Sequence, residues 1–555
     1  MQMTGAEILI ASLIEQEVKI VFGYPGGTVI DVYDAMDKRS GEITHILSSH
    51  EQGAAHAADG YSRSTGKTGV AIATSGPGAT NLVTGIATAY LDSIPMVAIT
   101  GNVARPLLGR DTFQEVDIVG VTVPVTKHNF FVNDIEKLAE TVREAFVIAN
   151  SGRPGPVLID IPKDIFAGST EYVPAGKFEK RPLSPLRMEY VDEAVKMINE
   201  AKNPVIYFGG GIISAGAGDE LLEFARKIDS PMTSTAMGIS VLRYDEPLNL
   251  GLVGMHGTPV SNYAIDRCDL LLCIGARFSD RVTGDKSRFA SHAKIIHVDT
   301  DLSEVGKNIP THLNVVGDAK LVLQAFLDRV ETNSHGEWLN ELEQYDQKYP
   351  LPTKMSNSDS VSPQDVLEAV RVIFGDDTII VTDVGQHQMT TVQHYKFTKP
   401  RSFLSSCGLG TMGYGMGAAV GAQMGNPDSP VVLITGDGCF HMNMAEFAVA
   451  VTNDLPMVVI IMNNGVLGMV RQWQSLFYAQ RYSNTTLNRK TDYVKIAEAF
   501  GGVGLRISST QDIFPVLREA QSCGKPVIVD CVISKNEGVF PIIPPGKAIG
   551  DAIYE

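Results

Sequence analysis

Two apolar runs in the last third of the chain end in residues that could hold a cation against phosphate: Val431-Val-Leu-Ile-Thr-Gly-Asp-Gly438 and Met457-Val-Val-Ile-Ile-Met-Asn-Asn464. Both have strand length and β-branched composition, and in a parallel sheet their ends lie on one edge, where α/β proteins bind ligands. Asp437 offers a hard anionic oxygen and Asn464 a neutral one. With a loop carbonyl they make an incomplete octahedral set, which suits Mg2+ that also takes diphosphate oxygens. The glycines beside Asp437 let the chain come close to phosphates. One run alone reads better as an ordinary strand-to-helix turn; the two together favour the cation site.

Two other glycine-rich stretches fit phosphate loops less well. Gly408-Leu-Gly-Thr-Met-Gly413 has the G-x-G-x-x-G spacing, but no acidic residue follows at ribose-binding distance in a second strand. It reads as close helix–strand packing with backbone near a ligand. Gly60-Tyr-Ser-Arg-Ser-Thr-Gly-Lys-Thr68 places its first glycine one position too early for a P-loop. It also follows a helix-like run, Glu51–Asp59, so it reads as a helix C-terminus and turn.

The elements that position these residues follow from length and patterning. A chain of 555 residues suggests about three domains of ~150–200 residues each. Short apolar strands alternate with helical patterns throughout, which predicts α/β units with parallel sheets flanked by helices. Strands are expected at Ile20–Gly23, His45–Ser48, Gly69–Ala73 and Met96–Thr100, then at Leu270–Ile274 and Lys294–Val298. A third set is expected at Thr378–Thr382, Val431–Thr435, Met457–Met462 and Val527–Val532. The polar stretches Ala167–Pro185 and Thr332–Ser360 read as linkers, giving domains at 1–168, 188–332 and 361–555. Ser362-Pro-Gln-Asp opens the last with proline at the first helical position. The first and third segments have similar layouts, which fits two related domains around a different middle one.

Composition narrows the class of function. A net charge of −17, spread without acidic or basic blocks, argues against nucleic acid or anionic membrane as the main partner. The N-terminus shows neither a signal nor a transit pattern, and the apolar runs are far shorter than a membrane span. Six cysteines without a C-x-x-C pair read as reduced core thiols, so the cytoplasm is the expected compartment.

Gly436-Asp-Gly438 with Asn463-Asn464 resembles the diphosphate-binding motif of thiamine diphosphate enzymes. Further stretches extend the match: Gly23-Tyr-Pro-Gly-Gly27, His50-Glu-Gln-Gly53, Thr74-Ser-Gly-Pro-Gly-Ala-Thr-Asn81, Phe113-Gln-Glu115, Gly152-Arg-Pro-Gly-Pro156 and Ile161-Pro-Lys-Asp164. Ala276-Arg-Phe-Ser-Asp-Arg-Val-Thr-Gly284, Asp383-Val-Gly-Gln-His-Gln388 and Gly468-Met-Val-Arg-Gln-Trp473 complete it. Nearly the whole chain is similar to the catalytic large subunit of acetohydroxyacid (acetolactate) synthases. The resemblance implies a three-domain thiamine diphosphate-binding fold, in which pyrimidine and diphosphate domains surround a central FAD-binding-type domain. It implies a transferase that decarboxylates pyruvate and condenses the two-carbon unit with pyruvate or 2-oxobutyrate, in branched-chain amino acid biosynthesis. The cofactors would be thiamine diphosphate, Mg2+ and a structural FAD. The partners would be a second copy, in a homodimer or homotetramer, and a small regulatory subunit.

The resemblance also assigns roles. Glu51 would bond the aminopyrimidine and favour its imino form; as a residue alone it reads equally as a helix-start charge. The family places this glutamate on one subunit and the Asp437/Asn464 site on its neighbour. Gln114 and Lys163 would line the active site, though on loops such residues are more often solvated. Gly26, Gln386, His387, Gly436 and Gly438 would contact the thiamine cofactor, Met412 would hold it bent, and Val466 would lend the metal a carbonyl. Arg281 would grip the second substrate's carboxylate, and Trp473 would wall the acceptor pocket. Their plainer readings are a surface ion pair and an interface aromatic. For FAD the matching positions are Arg153, Gly210, Met255, His256, Gly275, Arg277, Asp299 and Asp318.

The chain departs from the family at Ser279 (usually aspartate, beside the flavin), Thr390 (usually tryptophan), Met416-Gly417, Cys439 and His441; none removes a group the chemistry needs. Arg281 and Trp473 argue against a pyruvate oxidase-like enzyme. Retention of Glu51, Asp437 and Asn464 argues against an inactive scaffold homologue.

Overall fold

The computed structural model describes residues 1–352 and 361–554; the end of the second expected linker, 353–360, and Glu555 lie outside the described residues. Eighteen strands build three six-stranded sheets, each parallel throughout. The first contains β1 (Ile20–Tyr24), β2 (Thr44–Leu47), β3 (Gly69–Ala73), β4 (Met96–Asn102), β5 (His128–Phe131) and β6 (Pro156–Pro162), ordered β2-β1-β3-β4-β6-β5. The second contains β7 (Pro204–Phe208), β8 (Met232–Ser234), β9 (Asn249–Leu252), β10 (Leu270–Ile274), β11 (Lys294–Asp299) and β12 (Leu313–Val316), ordered β9-β8-β7-β10-β11-β12. The third contains β13 (Ile379–Thr382), β14 (Phe403–Leu404), β15 (Val431–Gly436), β16 (Val458–Asn463), β17 (Val503–Ile507) and β18 (Val527–Val532), ordered β14-β13-β15-β16-β18-β17.

The first and third sheets thus share one strand order, 2-1-3-4-6-5 counted from each domain's first strand. The middle sheet runs 3-2-1-4-5-6, the order of dinucleotide-binding folds, and its direction reverses between β7 and β10. Strands such as β3 and β4 are buried along their whole length because helices cover both faces, which is why they read as unbroken apolar runs. Among the described residues no helix is long and apolar enough to cross a membrane.

One stretch read as linker folds: residues Gly336–Lys348 form a helix whose Trp338 and Leu342, one turn apart, bury against the middle domain. The Trp338 ring N–H donates to the Pro204 carbonyl at 3.1 Å.

Five helices matter for the site: α1 (Glu51–Thr65), α2 (Gln386–His394), α3 (Tyr414–Gly425), α4 (Asp437–Asn443) and α5 (Gly468–Phe477). Helix α1 begins on His50, whose Nδ1 accepts the Gln52 N–H at 3.0 Å, and ends on Gly66 in the left-handed conformation, φ 74°. The expected turn after Gly60 is therefore the last turn of α1 and its cap. Glycines let α1 and α3 touch backbone to backbone: a Cβ at Gly417 would lie 2.6 Å from the Gly53 carbonyl oxygen and 2.8 Å from the His56 Cβ. Cβ atoms at Gly60 and Gly421 would run into the carbonyls of Ala418 and Ala57.

The same interface buries charge. Arg63 of α1 bonds Asp59 at 2.5 Å, Asp92 at 2.9 Å and the Ser405 carbonyl at 2.8 Å, while the Tyr414 hydroxyl donates to Asp59 at 2.7 Å. A guanidinium set between two carboxylates offsets charge that a dry interface does not solvate, so removing one group leaves the others uncompensated.

Gly417→Leu is expected to destabilise the protein by at least ~1–3 kcal/mol, read as a fall in Tm, with activity lost in parallel. An unchanged Tm would mean that the helices do not meet this closely.

Candidate active site

The residues singled out in the sequence collect at the carboxyl edges of the three sheets, in three separate groups. At the third sheet, β15 and β16 pair with Gly436 opposite Met462, so Asp437 and Asn464 both follow directly on adjacent strand ends. A cleft opens there, lined among others by Gln386, His387, Met412, Asp437, Asn464 and Val466. Gly436 and Gly438 complete its floor. Side chains would fill it: a Cβ at Gly436 would lie 3.1 Å from the His387 ring, and one at Gly438 2.9 Å from Leu467. The Asn464 amide lies 3.5 Å from the Gln386 carbonyl oxygen, and its own oxygen accepts the Val466 N–H at 3.1 Å. Gln386 is fixed in turn by donating to Gln472 at 3.0 Å and to the Glu537 carbonyl at 2.8 Å.

Two groups in this cleft call for a ligand. Asp437 is 4 % exposed, and burial pushes its carboxyl up to about 6, against the pull of backbone N–H groups and of Arg489. An adjacent cation would restore the carboxylate. The buried His387 Nε2 has no hydrogen-bond partner, and burial holds the ring's pKa down to about 4, leaving a neutral imidazole. Among the described residues no three His, Cys, Asp or Glu side chains gather to hold a metal. A cation at Asp437 would therefore draw on amide and carbonyl oxygens and on the ligand's own oxygens, which is how Mg2+ sits with diphosphates.

At the first sheet's edge, Glu51 opens α1, and its Oε2 accepts from the Asn81 amide at 2.9 Å. Gly26 packs on Thr74, whose hydroxyl meets that of Thr28 at 3.0 Å. Gln114, at φ 61°, presses against Gly76, where a Cβ would lie 2.9 Å from it. Lys163 is exposed and starts the short helix after β6. Tyr24 and Leu47, which end β1 and β2, are both exposed. Among the described residues none of the first domain lines the cleft at Asp437.

At the middle sheet, Gly209–Gly211 and Gly275 occupy the reversal point between β7 and β10. Gly211 donates to the Gly275 carbonyl at 3.0 Å, and Gly275 has φ 60°. Gly210 and Arg277 flank this contact; Asp299 ends β11 beside it, with burial raising its carboxyl. Arg153 reaches over from the first domain and bonds Glu304 at 2.7 Å and Asp301 at 3.5 Å. Asp318 is occupied as the cap of the helix Ala319–Leu327, accepting from Lys320 N–H at 2.9 Å. Ser279 likewise caps a helix, accepting from Arg281 N–H at 3.3 Å. The His256 ring meets the Pro541 carbonyl at 3.3 Å.

Neither expected substrate residue lines the main cleft. Arg281 shares a small cavity with Met255 and Pro544, its guanidinium 3.6 Å from the Met255 sulfur. Trp473 lies on α5 beside Phe477, and its ring N–H is buried without a partner.

Asp383 escaped the sequence reading as a site residue, although the stretch that contains it was noticed. Fully enclosed at the end of β13, it accepts from Gly413 N–H at 2.8 Å, Gly415 N–H at 3.0 Å and the Thr435 hydroxyl at 2.7 Å. It thereby ties the loop of Met412 to β15, the strand that leads into Asp437. Asn81 and Asp92 were missed for the same reason: their work is done on backbone or side chains distant in sequence. Asp92 accepts from Cys407 N–H at 3.0 Å and Gly408 N–H at 2.7 Å.

Comparison with known proteins assigns this architecture. The N-terminal, central and C-terminal domain models of thiamine pyrophosphate enzymes match residues 3–121, 191–326 and 383–531; the two outer ones are described as TPP-binding. The acetolactate synthase large subunit of Corynebacterium glutamicum is 45% identical over 100% of this chain and 90% of its own length. A probable acetolactate synthase large subunit of Methanocaldococcus jannaschii is 46% identical over 99% of the chain and 95% of its own length. The acetolactate synthase large subunit of Pyropia yezoensis is 44% identical over 98% and 94%.

Asp383→Ala strands two buried amides at ~1–3 kcal/mol each. Hydrogen exchange across residues 408–415 should quicken and Tm should fall; exchange at the parent rate would contradict the role given to Asp383.

Proposed function

The chain belongs to the acetolactate synthase large-subunit family of thiamine pyrophosphate enzymes, and we propose that it joins two 2-oxo acids, releasing CO2 from the first. Pyruvate is the donor, and pyruvate or 2-oxobutyrate the acceptor, giving acetolactate or acetohydroxybutyrate on the way to branched-chain amino acids. The observation that carries this reading is the pair of domains with one strand order, one carrying Glu51 at the carboxyl edge of its sheet and the other the Asp437–Asn464 cleft.

Thiamine diphosphate, when bound, would supply an acidic ring carbon that is nucleophilic once deprotonated and a cationic ring that serves as an electron sink. The chain's residues hold and switch it. Asp437, Asn464 and the Val466 carbonyl would hold Mg2+ at the diphosphate, Gly436 and Gly438 would admit the phosphates, and the neutral His387 and Gln386 would offer hydrogen bonds. Met412, which lines the same cleft, would pack against the cofactor. Asn81 occupies one oxygen of Glu51 and so orients the other, which would hydrogen-bond the aminopyrimidine nitrogen and exchange a proton with it. Gln114 and Lys163 face the reacting acids, Arg281 binds the acceptor's carboxylate, and Trp473 shapes its alkyl pocket.

Because Glu51 and the cleft sit on different edges, the working site is composite: Glu51 comes from a partner copy, in a homodimer or homotetramer. The exposed Tyr24 and Leu47 beside Glu51 support a covered face there. The middle domain holds FAD at the β7/β10 reversal, with Gly210, Gly275, Arg277 and Asp299 around it and Arg153, Met255, His256 and Asp318 at its borders. The flavin is structural, since the net reaction moves no electrons. The relatives' name, large subunit, supports a small regulatory partner, and the enzyme works in the cytoplasm.

Acetolactate should form from pyruvate when thiamine diphosphate and Mg2+ are present, and Glu51→Gln should cut turnover ~10²–10⁴-fold. Oxygen uptake with acetate as product, or undiminished turnover by the variant, would overturn the reading. Trp473→Leu should shift competition between 2-oxobutyrate and pyruvate by ~1–3 kcal/mol towards pyruvate, measured from the product ratio; an unmoved ratio would remove Trp473 from the acceptor pocket.

A further inference from the structure

Glu446 follows α4 in the turn Met444–Glu446 and is 2 % exposed. Among the described residues it makes no ion pair. Its Oε1 accepts the His50 N–H at 2.9 Å and the Ser49 N–H at 3.1 Å, and its Oε2 the Ser49 N–H at 3.3 Å. The Ser49 hydroxyl donates to the neighbouring Ala445 carbonyl at 2.8 Å. A carboxylate from the third domain thus grips the two residues directly before Glu51, at the positive end of α1. The helix leaves room for it: a Cβ at Gly53 would overlap the Glu446 carboxyl group.

This arrangement is costly as mere packing. Burial pushes the Glu446 carboxyl up to about 7, the two amides pull it back, and the charge of Glu51 raises it again. An apolar side chain would avoid both desolvation and like-charge repulsion. What the carboxylate adds is direction. Ordinary capping of α1 is already met by His50, so the Glu446 contacts fix the chain's entry into the helix and, with it, the Cα of Glu51.

We propose that Glu446 is a positioning residue for Glu51, holding the start of α1 so that the carboxylate of Glu51 meets the aminopyrimidine at the proper place. This rests on the reading of Glu51 given above. On that reading a further consequence follows: α4 begins at Asp437 and leads to Glu446, so one short segment connects the metal end of one active site to the acid of the other.

Three variants of the full-length protein test it. Glu446→Ala should lower kcat about 10–100-fold, the cost of a small misplacement, with thiamine diphosphate affinity by calorimetry within about twofold of the parent, as for a contact felt in the transition state. In the same variant amide exchange at residues 48–52 should quicken, with and without cofactor. Glu446→Gln keeps the accepting oxygen and should recover most of kcat and of the slow exchange. Gly53→Ala, which displaces Glu446 from the other side, should reproduce the alanine phenotype even if Glu446→Ala fails to fold. A Glu446→Ala enzyme with lower Tm but parental kcat, or a glutamine variant as impaired as alanine, would overturn the proposal. If Glu51→Gln leaves turnover intact, the reading of Glu51 falls, while exchange at Ser49 and His50 still reports on what Glu446 holds.

Discussion

The backbone-to-backbone contact of α1 with α3 fixes where the chain's reactive groups can be. Glycines at 60, 417 and 421 remove the side chains that would hold the helices apart, and the Arg63–Asp59–Asp92 cluster then seals a dry interface that tolerates no sliding. Two sheets of one strand order are thereby locked together within a chain. The carboxyl edges of those sheets stay separate: Glu51 stands at one and the Asp437 cleft at the other.

Around that contact the two domains steady each other's site residues. The first domain's Asp92 holds the amides of Cys407 and Gly408, at the entrance to the loop that carries Met412. The third domain's Glu446 holds those of Ser49 and His50, at the entrance to the helix that carries Glu51. Each is an acidic side chain on backbone N–H groups, a bond stronger than its neutral counterpart and insensitive to the identity of the residue it grips.

Much of this was legible in the sequence because buried parallel strands write themselves as short apolar runs. Gly69–Ala73, Leu270–Ile274 and Val527–Val532 appear with the limits read from pattern alone, and the turns after β15 and β16 hold Asp437 and Asn464 on one edge as expected. What stayed hidden depends on partners far away in the chain. Helix Gly336–Lys348 looked like linker because only Trp338 and Leu342 of its thirteen residues are buried. Asp92 and Glu446 do not stand out in the sequence, since nothing local marks a carboxylate whose partners lie more than three hundred residues off. The shared strand order of the outer domains was suggested by layout, but it rests on pairings between strands that no local pattern specifies.

The acid and the metal site, as we propose, act together only across a subunit boundary, and mixed dimers decide the matter. Chains carrying Glu51→Gln would be co-expressed with chains carrying Asp437→Asn, and the doubly tagged heterodimer assayed for acetolactate. A site shared between copies leaves one intact pairing in that heterodimer, so activity should return although both parent dimers are dead. A heterodimer as inactive as its parents would mean that each chain works alone, and the account would be wrong.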